Sequence, residues 1–437
     1  MNTEPNSVTS RRDFLKTSSA AVIAATAIGF PAVLRGAAPN QKLKIGFIGC
    51  GGRGTGAANQ ALKADPNVVL WAMGDAFEDK IQGSFENLKT IHGEKVDVPK
   101  ERQFVGLDAY QKVIDSGVDV VLLTTPPAFR PQHFKAAVAA GKHCFLEKPM
   151  ATDAAGLRSV MQSVEEAKRK NLGVVAGFCW RYHPAMRETF KRIAGGEIGQ
   201  VLANYNTYNT GTVDRYPRWN RANTPRDLEW QLRRWYYFAW LSGDHIVEQA
   251  CHSLDKMAWV MGDKPPIKCL GHGGRQVRQG VDYGNIYDHF DIVYDYENGV
   301  RGFHASRQMN RTAANNTDTM IGSEGLCEIN GSLKQFIIKD LKGNVKWRYS
   351  GNPEDMYQVE HNEFFASLRS GAPINDGPRM ASSTLLAIMG RMSAYTGQEI
   401  TWEMALNSKE SLVPEKLDWD MALPVAPVAM PGITPLV

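Results

Sequence analysis

Lys44-Ile45-Gly46-Phe47-Ile48-Gly49-Cys50-Gly51-Gly52-Arg53-Gly54 is the stretch that decides the fold of this chain. A short apolar run reads as a buried strand, a glycine turn follows it, and Ala57 to Lys63 has the composition of a helix. In a Gly-x-Gly-x-x-Gly turn the first glycine permits the tight bend. The second lets a pyrophosphate approach the backbone, and the third allows helix and strand to pack closely. Gly49, Gly51 and Gly54 occupy these places, with Gly52 and Arg53 between them. Alone the pattern is weak, but a second strand, Val68 to Met73, leads to Asp75. A carboxylate at the end of that strand accepts bonds from the adenosine ribose hydroxyls and repels a 2′-phosphate. The reading is therefore NAD rather than NADP, with Lys80 and Arg53 as cations that weaken the preference.

Working outward, Val118 to Thr125 reads as a strand ending at Pro126-Pro127, Phe134 to Ala140 as a helix, and His143 to Leu146 as a strand, with Gly173 to Phe178 closing the series. Strand and helix alternate, which implies a parallel, doubly wound sheet. Beyond Cys179 the character changes. An aromatic, arginine-rich stretch runs from Tyr205 to Trp240, and a helix is expected from about Asp244 to Met261. His289 to Tyr296 and Val300 to Ser306 flank Glu297-Asn298-Gly299, where Asn-Gly supplies the positive φ angles of a hairpin turn. Further strands are expected at Thr319 to Ile321, Leu326 to Asn330 and Gln335 to Asp340. The fold class is thus α/β, a Rossmann domain over residues 39–178 followed over 179–412 by an α+β domain with a large, mostly antiparallel open sheet. The Pro-, Ala- and Val-rich tail, 413–437, is expected to lie over the surface or against another subunit.

The 437 residues, 43% hydrophobic and 22% charged, suit two or three globular domains without disordered tracts. Lys and Arg total 50 against 46 Asp and Glu, a net +4 too mild and scattered for nucleic-acid binding. Residues 1–38 stand apart. Ser10-Arg11-Arg12-Asp13-Phe14-Leu15-Lys16 precedes an apolar run from Ala20 to Leu34, and Gly36-Ala37-Ala38 offers small residues for cleavage. This looks like a twin-arginine signal peptide, which implies export of a folded protein to the periplasm and no stable membrane span after cleavage. The six cysteines, widely spaced, read as buried and free.

Lys148, in Glu147-Lys148-Pro149, falls at the carboxyl end of a parallel strand, where open α/β sheets bind ligands. Beside a nicotinamide such a lysine binds a substrate hydroxyl and lowers its pKa; elsewhere it is a solvated loop cation. The glycine turn, Thr125-Pro126-Pro127 and Glu147-Lys148-Pro149 together resemble the Gfo/Idh/MocA family, which includes glucose-fructose oxidoreductase and inositol dehydrogenase. Arg181-Tyr182-His183-Pro184, Gly196-Glu197-Ile198-Gly199 and Glu360-His361 extend the resemblance over most of the chain after the signal. It implies a homodimer or homotetramer, carbohydrate substrates, and cofactor contacts from Thr125, Pro126, Glu147 and Lys148.

The family's second catalytic element reads Asp-x-Gly-x-His-x-x-Asp, and Glu248 to Asp255 resembles it with glutamate and alanine in place of the aspartate and glycine. Spacings of four and three put Glu248, His252 and Asp255 on one helical face, so that a carboxylate orients the imidazole. His252 is thereby the candidate general acid/base, assisted by Glu248 and Lys148; the plainer reading is a hydrogen-bonded structural histidine. Asp244, His245, Glu248 and His252 as a metal site is the weaker alternative, since hydride transfer needs none. Arg181, Tyr182, Asp255, Trp235 and Tyr236 are the candidate substrate contacts. Trp230, Arg233, Arg234 and Tyr237 suit either a polyhydroxylated ring or a subunit interface. Arg130 stands where the family often has histidine.

These features point to an exported NAD-dependent oxidoreductase of sugars or polyols. The periplasm has no useful pool of free nicotinamide, which favours a tightly bound cofactor cycling in place. Two rivals stand beside this reading: an NAD-dependent glycosidase that oxidises, eliminates and re-reduces its sugar, and a non-catalytic NAD-binding module.

Overall fold

In the computed structural model residues 40–213 and 218–437 are described; the export-signal reading of residues 1–38 lies outside them. Leu43–Ile48 (β1) alternates its side chains between two cores. Leu43, Ile45 and Phe47 enter one and Ile48 the other. Val120–Leu123 (β4) and His143–Leu146 (β5) do the same, with Val120, Leu122 and Phe145 on one side and Val121, Leu123, Cys144 and Leu146 on the other. Two apolar faces oblige the sheet to be covered on both sides, the condition for parallel strands. With Val68–Asp75 (β2), Gln103–Val105 (β3) and Val174–Ala176 (β6), the strands pair in the order β3-β2-β1-β4-β5-β6, all parallel. The doubly wound fold expected of the N-terminal half is what the chain forms.

The second sheet has nine strands. Its centre is Val201–Thr210 (β7), which lies parallel to Arg301–Gln308 (β10) and antiparallel to Asp318–Gly322 (β11). Lys268–Gly274 (β8) and His289–Asp295 (β9) continue it on one side. Gly325–Asn330 (β12), Gln335–Asp340 (β13) and Val345–Arg348 (β14) continue it on the other. The two-residue strand Ile400–Thr401 (β15) pairs with β8 at the edge. The β9–β10 hairpin turns as expected, with φ of +60° at Asn298 and +76° at Gly299.

The helix expected from Asp244 to Met261 is broken. His245–Glu248 forms one turn and Cys251–Val260 a separate helix, because the amide of His252 bonds Gln249 rather than Glu248. The chain also returns to the first sheet. Helix Met356–Ser370 packs on helix Gly52–Ala64, with Arg369 paired to Asp65 at 2.8 Å, and helix Gly377–Thr396 packs on helix Ala154–Arg169. The C-terminal tail is irregular and lies on its own chain. Val413, Leu417, Trp419, Leu423 and Val425 pack on the aromatic cluster around Trp230 and Tyr237, and Asp153 accepts a bond from the Leu412 amide. All six cysteines are buried with free thiols. Among the described residues no helix is long and apolar enough to cross a membrane.

Candidate functional site

The three glycines have the three separate reasons assigned to them. Gly49 turns with φ of +97°, and a side chain there would press on the Thr124 backbone at 2.7 Å. A Cβ at Gly51 would meet nothing within 4 Å, so its face of the turn is open. At Gly54 a Cβ would stand 1.9 Å from the Gly49 carbonyl oxygen, so only glycine lets the helix start this close to the strand. Thr124, which motif reading missed, staples the turn by donating its hydroxyl to the carbonyls of Ile48 and Gly49 at 2.9 and 2.8 Å.

A cavity of about 650 Å³ opens against this turn. Gly49, Gly51, Gly52, Arg53 and Gly54 line one wall, and Asp75, Thr125 and Pro126 line it further along. Asp75 accepts from the amides of Cys50 at 2.6 Å and Phe77 at 2.9 Å, which aims its carboxylate at the turn. Burial pushes its pKa up to about 6 against the pull of these two amides. An open amide-lined turn with a carboxylate at the end of the neighbouring strand fits the pyrophosphate and ribose of a dinucleotide. Arg53 does not stay with the turn. It pairs with Glu147 at 2.8 Å and lies over the ring of Tyr357, 4.7 Å away, so Glu147 reaches the cofactor wall through Arg53.

Glu147 and Lys148 stand at the end of β5. The Lys148 ammonium donates to the main-chain oxygen of Glu248 and, at 3.0 Å, to its carboxylate. The break in the helix makes this contact available, since the Glu248 carbonyl carries no helical bond from His252. Burial alone would lower the lysine pKa, but the charges of Glu248 and Glu147 overcome it and hold the pKa above its ordinary value. Lys148 is thus an ammonium with two of its three N–H groups on Glu248.

His252 is held the other way. Burial, with the nearby cations Lys148 and Lys256, pushes its pKa well below the usual imidazole value, and its Nδ1 is buried with no partner among the described residues. The expectation that Glu248 or Asp255 orients it is corrected. Glu248 is taken by Lys148, and Asp255 receives Arg181 in a two-pronged pair at 2.9 and 3.0 Å together with the Ser383 hydroxyl at 2.7 Å. A neutral imidazole beside a fixed ammonium is a proton acceptor next to an oxygen-binding cation, the two functions an alcohol needs to lose hydride.

The substrate contacts expected from sequence are also corrected. Arg181 is spent on Asp255 and Asp263, and the Tyr182 hydroxyl donates to Asp376 at 2.8 Å; both side chains are buried. Buried charges demand partners, and these residues satisfy one another. Trp235 lines the dinucleotide cavity instead. Tyr236 is buried, its hydroxyl accepting from Gln308 at 2.7 Å, with the Glu248 charge adding to burial in raising its pKa. Tyr208, unforeseen on β7, donates to Gln249 at 3.1 Å and feels both Lys148 and Glu248. Asp244 and His245 serve the fold. Asp244, at φ +73°, accepts from the Tyr287 amide at 2.6 Å and the Tyr395 hydroxyl at 2.5 Å. Among the described residues no three His, Cys, Asp or Glu side chains are grouped to hold a metal.

Arg130 acquires a role. Fully buried, its guanidinium donates to the carbonyls of Pro149 and Thr125, each at 2.7 Å, and so ties the loop after β4 to the loop that carries Lys148. The same cation, together with burial, drives the pKa of His133 down to about 3, leaving a neutral ring stacked on Tyr110 at the cavity wall.

Strand order, glycine turn and acidic strand end define a dinucleotide-binding Rossmann fold. Residues 43–175 match the model of the Gfo/Idh/MocA oxidoreductases, described as an oxidoreductase family with an NAD-binding Rossmann fold. The likeness runs further along the chain at lower identity. Inositol 2-dehydrogenase of Acidiphilium cryptum is 23% identical over 331 residues, 75% of this chain and 87% of the relative. Trans-1,2-dihydrobenzene-1,2-diol dehydrogenase of Sus scrofa is 25% identical over 313 residues, 67% of this chain and 80% of the relative. Among solved structures, levoglucosan dehydrogenase in complex with NADH and levoglucosan superposes with a TM-score of 0.65 at 19% identity, covering 83% of this chain and 99% of that one. This last likeness is one of fold.

Proposed function

We propose that this protein is an exported enzyme that oxidises and reduces carbohydrate or polyol CH–OH groups with NAD held as a resident cofactor. The observation that carries the reading is the combination of a fixed ammonium, Lys148, next in sequence to Glu147, which pairs with Arg53 of the cavity wall, and a neutral imidazole, His252, that feels its charge. The named activities of the curated relatives, on inositol and on a dihydrodiol, support vicinal hydroxyls as the substrate class. When bound, the nicotinamide supplies the site that takes up and returns hydride. Lys148 then holds the substrate oxygen through its remaining N–H and stabilises the negative charge that grows there. His252 accepts the hydroxyl proton in oxidation and returns it in reduction. Glu248 fixes the ammonium, and Arg130 fixes the loop that presents it.

Asp75 supports NAD over NADP, because its carboxylate sits where a 2′-phosphate would be repelled. Export by the twin-arginine route, read from residues 1–38, supports retention of the cofactor and a cycle that regenerates it in place, as a homodimer or homotetramer. The test is to identify by mass the nucleotide that accompanies the purified protein, then to screen sugars and polyols for a change in its reduced-nicotinamide absorbance. Protein that neither carries nor binds a nicotinamide dinucleotide would falsify the reading. Release of aglycone from aryl glycosides with no net change in that absorbance would replace it with the redox-neutral glycosidase.

A further inference from the structure

The dinucleotide cavity is not a groove of the first domain alone. Its outer wall at the Asp75 end is Trp219, Leu232, Arg233 and Trp235, which arrive from the second domain and face Phe77 and Lys80. A ligand lying along the glycine turn would be roofed there by residues more than a hundred positions away in the chain. Ala76, Phe77, Leu107, Ala128 and Phe129 of the first domain pack on the roof's apolar cluster, and one side chain adds a polar tie. The Arg233 guanidinium is sandwiched between the rings of Phe77, 3.8 Å away, and Trp219, 3.7 Å away. Its two terminal nitrogens donate to one carboxylate oxygen of Asp79, each at 3.2 Å, at the start of helix Glu78–His92. Glu229 takes its Nε at 3.0 Å.

Behind the roof lies the C-terminal tail. Trp419 packs against Phe77 with tilted rings 5.7 Å apart, and Arg226 stands over Trp419. Gln231 donates to the Leu423 carbonyl at 2.6 Å, while Asp227 accepts from the Leu423 amide at 2.9 Å. The tail therefore backs the roof segment rather than hanging free. The asymmetry of the contacts matters. Towards the tail the Gln231 and Asp227 side chains bond the Leu423 main chain, whereas towards the first domain the polar tie among the described residues is the Arg233–Asp79 pair, whose acid is 43% exposed. An ion pair with one partly exposed partner, its cation flanked by two aromatic rings, is a contact of moderate strength added to the apolar packing.

We propose that Arg233 is a latch: paired with Asp79, it closes the aromatic segment over the adenosine half of the cofactor and sets how slowly the cofactor exchanges. This rests on the reading of the cleft as a nicotinamide-dinucleotide site and adds the means of retention. A latch has a kinetic signature that a simple ligand contact lacks. Weakening it raises the population open to solvent, so association and dissociation quicken together. Loss of a contact to the ligand quickens dissociation alone.

The experiment measures exchange of bound dinucleotide for labelled NAD in the holoenzyme, and NADH association by stopped flow, for wild type, Arg233→Ala and Asp79→Asn. Asp79 is a surface residue outside the cavity wall, so Asp79→Asn breaks the latch with little risk to folding. Exchange is expected to rise about tenfold in Arg233→Ala, equivalent to about 1.4 kcal/mol, and about threefold in Asp79→Asn, with association rising in step. Exchange within twofold of wild type in both variants, or faster dissociation with unchanged association in Asp79→Asn, overturns the latch and leaves the functional reading standing. Wild-type protein that binds no dinucleotide removes both.

Discussion

The glycine turn and the lysine corner end two strands, β1 and β5, that both border β4, yet they are built from opposite materials. The turn is a matter of backbone and space. A Cβ is forbidden at Gly54, has open room at Gly51, and Thr124 pins the carbonyls of Ile48 and Gly49 at the start of the turn. The corner is a matter of charge and burial, in which a lysine stays protonated against burial largely because Glu248 reaches it from 100 residues away, and an imidazole stays neutral because it is buried and that lysine is near. Substitutions in the first region therefore probe volume, and those in the second probe electrostatics.

The largest effects are expected at the corner. Lys148→Ala and His252→Ala should each lower kcat by about 10²–10⁴ with cofactor affinity changed far less, read from steady-state rates on whichever polyol is turned over. Turnover within a few-fold of wild type would remove these residues from the chemistry. The turn should show its split next. Gly54→Ala should lose about 1–3 kcal/mol in chemical denaturation, because the new methyl meets the Gly49 carbonyl. Gly51→Ala should leave the unfolding curve in place and weaken only dinucleotide binding; equal destabilisation by both would erase the distinction drawn between these glycines.

A smaller effect joins the two regions. Asp75 accepts ribose hydroxyls best as a carboxylate, and burial raises its pKa to about 6. NAD affinity should then be full above that value and fall by up to about tenfold per pH unit below it. Calorimetric titration across this range should show the dependence in wild type and its loss in Asp75→Asn. The smallest expected effect is none. Lys148 stays charged and His252 neutral through the neutral range, so kcat should be level from about pH 7 to 9. A steep limb inside that window would show that one of the two titrates there.

Legibility followed the range of the interactions. β5 and β13 were readable to the residue, since apolar runs between turn residues are local signals. β7 was hidden in the aromatic stretch because its inward positions include Asn204 and Asn206, polar residues buried at the centre of the second sheet, where Asn206 bonds Asp318. An alternation rule that scores polarity as exposure cannot find such a strand. Glu248, His252 and Asp255 had the right spacing for one helical face, and the face does not form as a unit because the helix breaks at Gln249 and Ala250. Arg181 and Asp255 were visible as charged residues, but not as each other's partners across 74 positions.

By itself, then, the sequence determined the nucleotide-binding half. Strand, turn glycines and Asp75 lie within about 30 residues, and backbone stereochemistry acts over that distance. Only the tertiary structure decided which carboxylate holds Lys148, why Arg130 is tolerated, and which distant residues line the cavity at the glycine turn. Each depends on burial and on polar groups brought together from distant or separately looped segments, and a linear spacing carries no record of the low dielectric in which they meet.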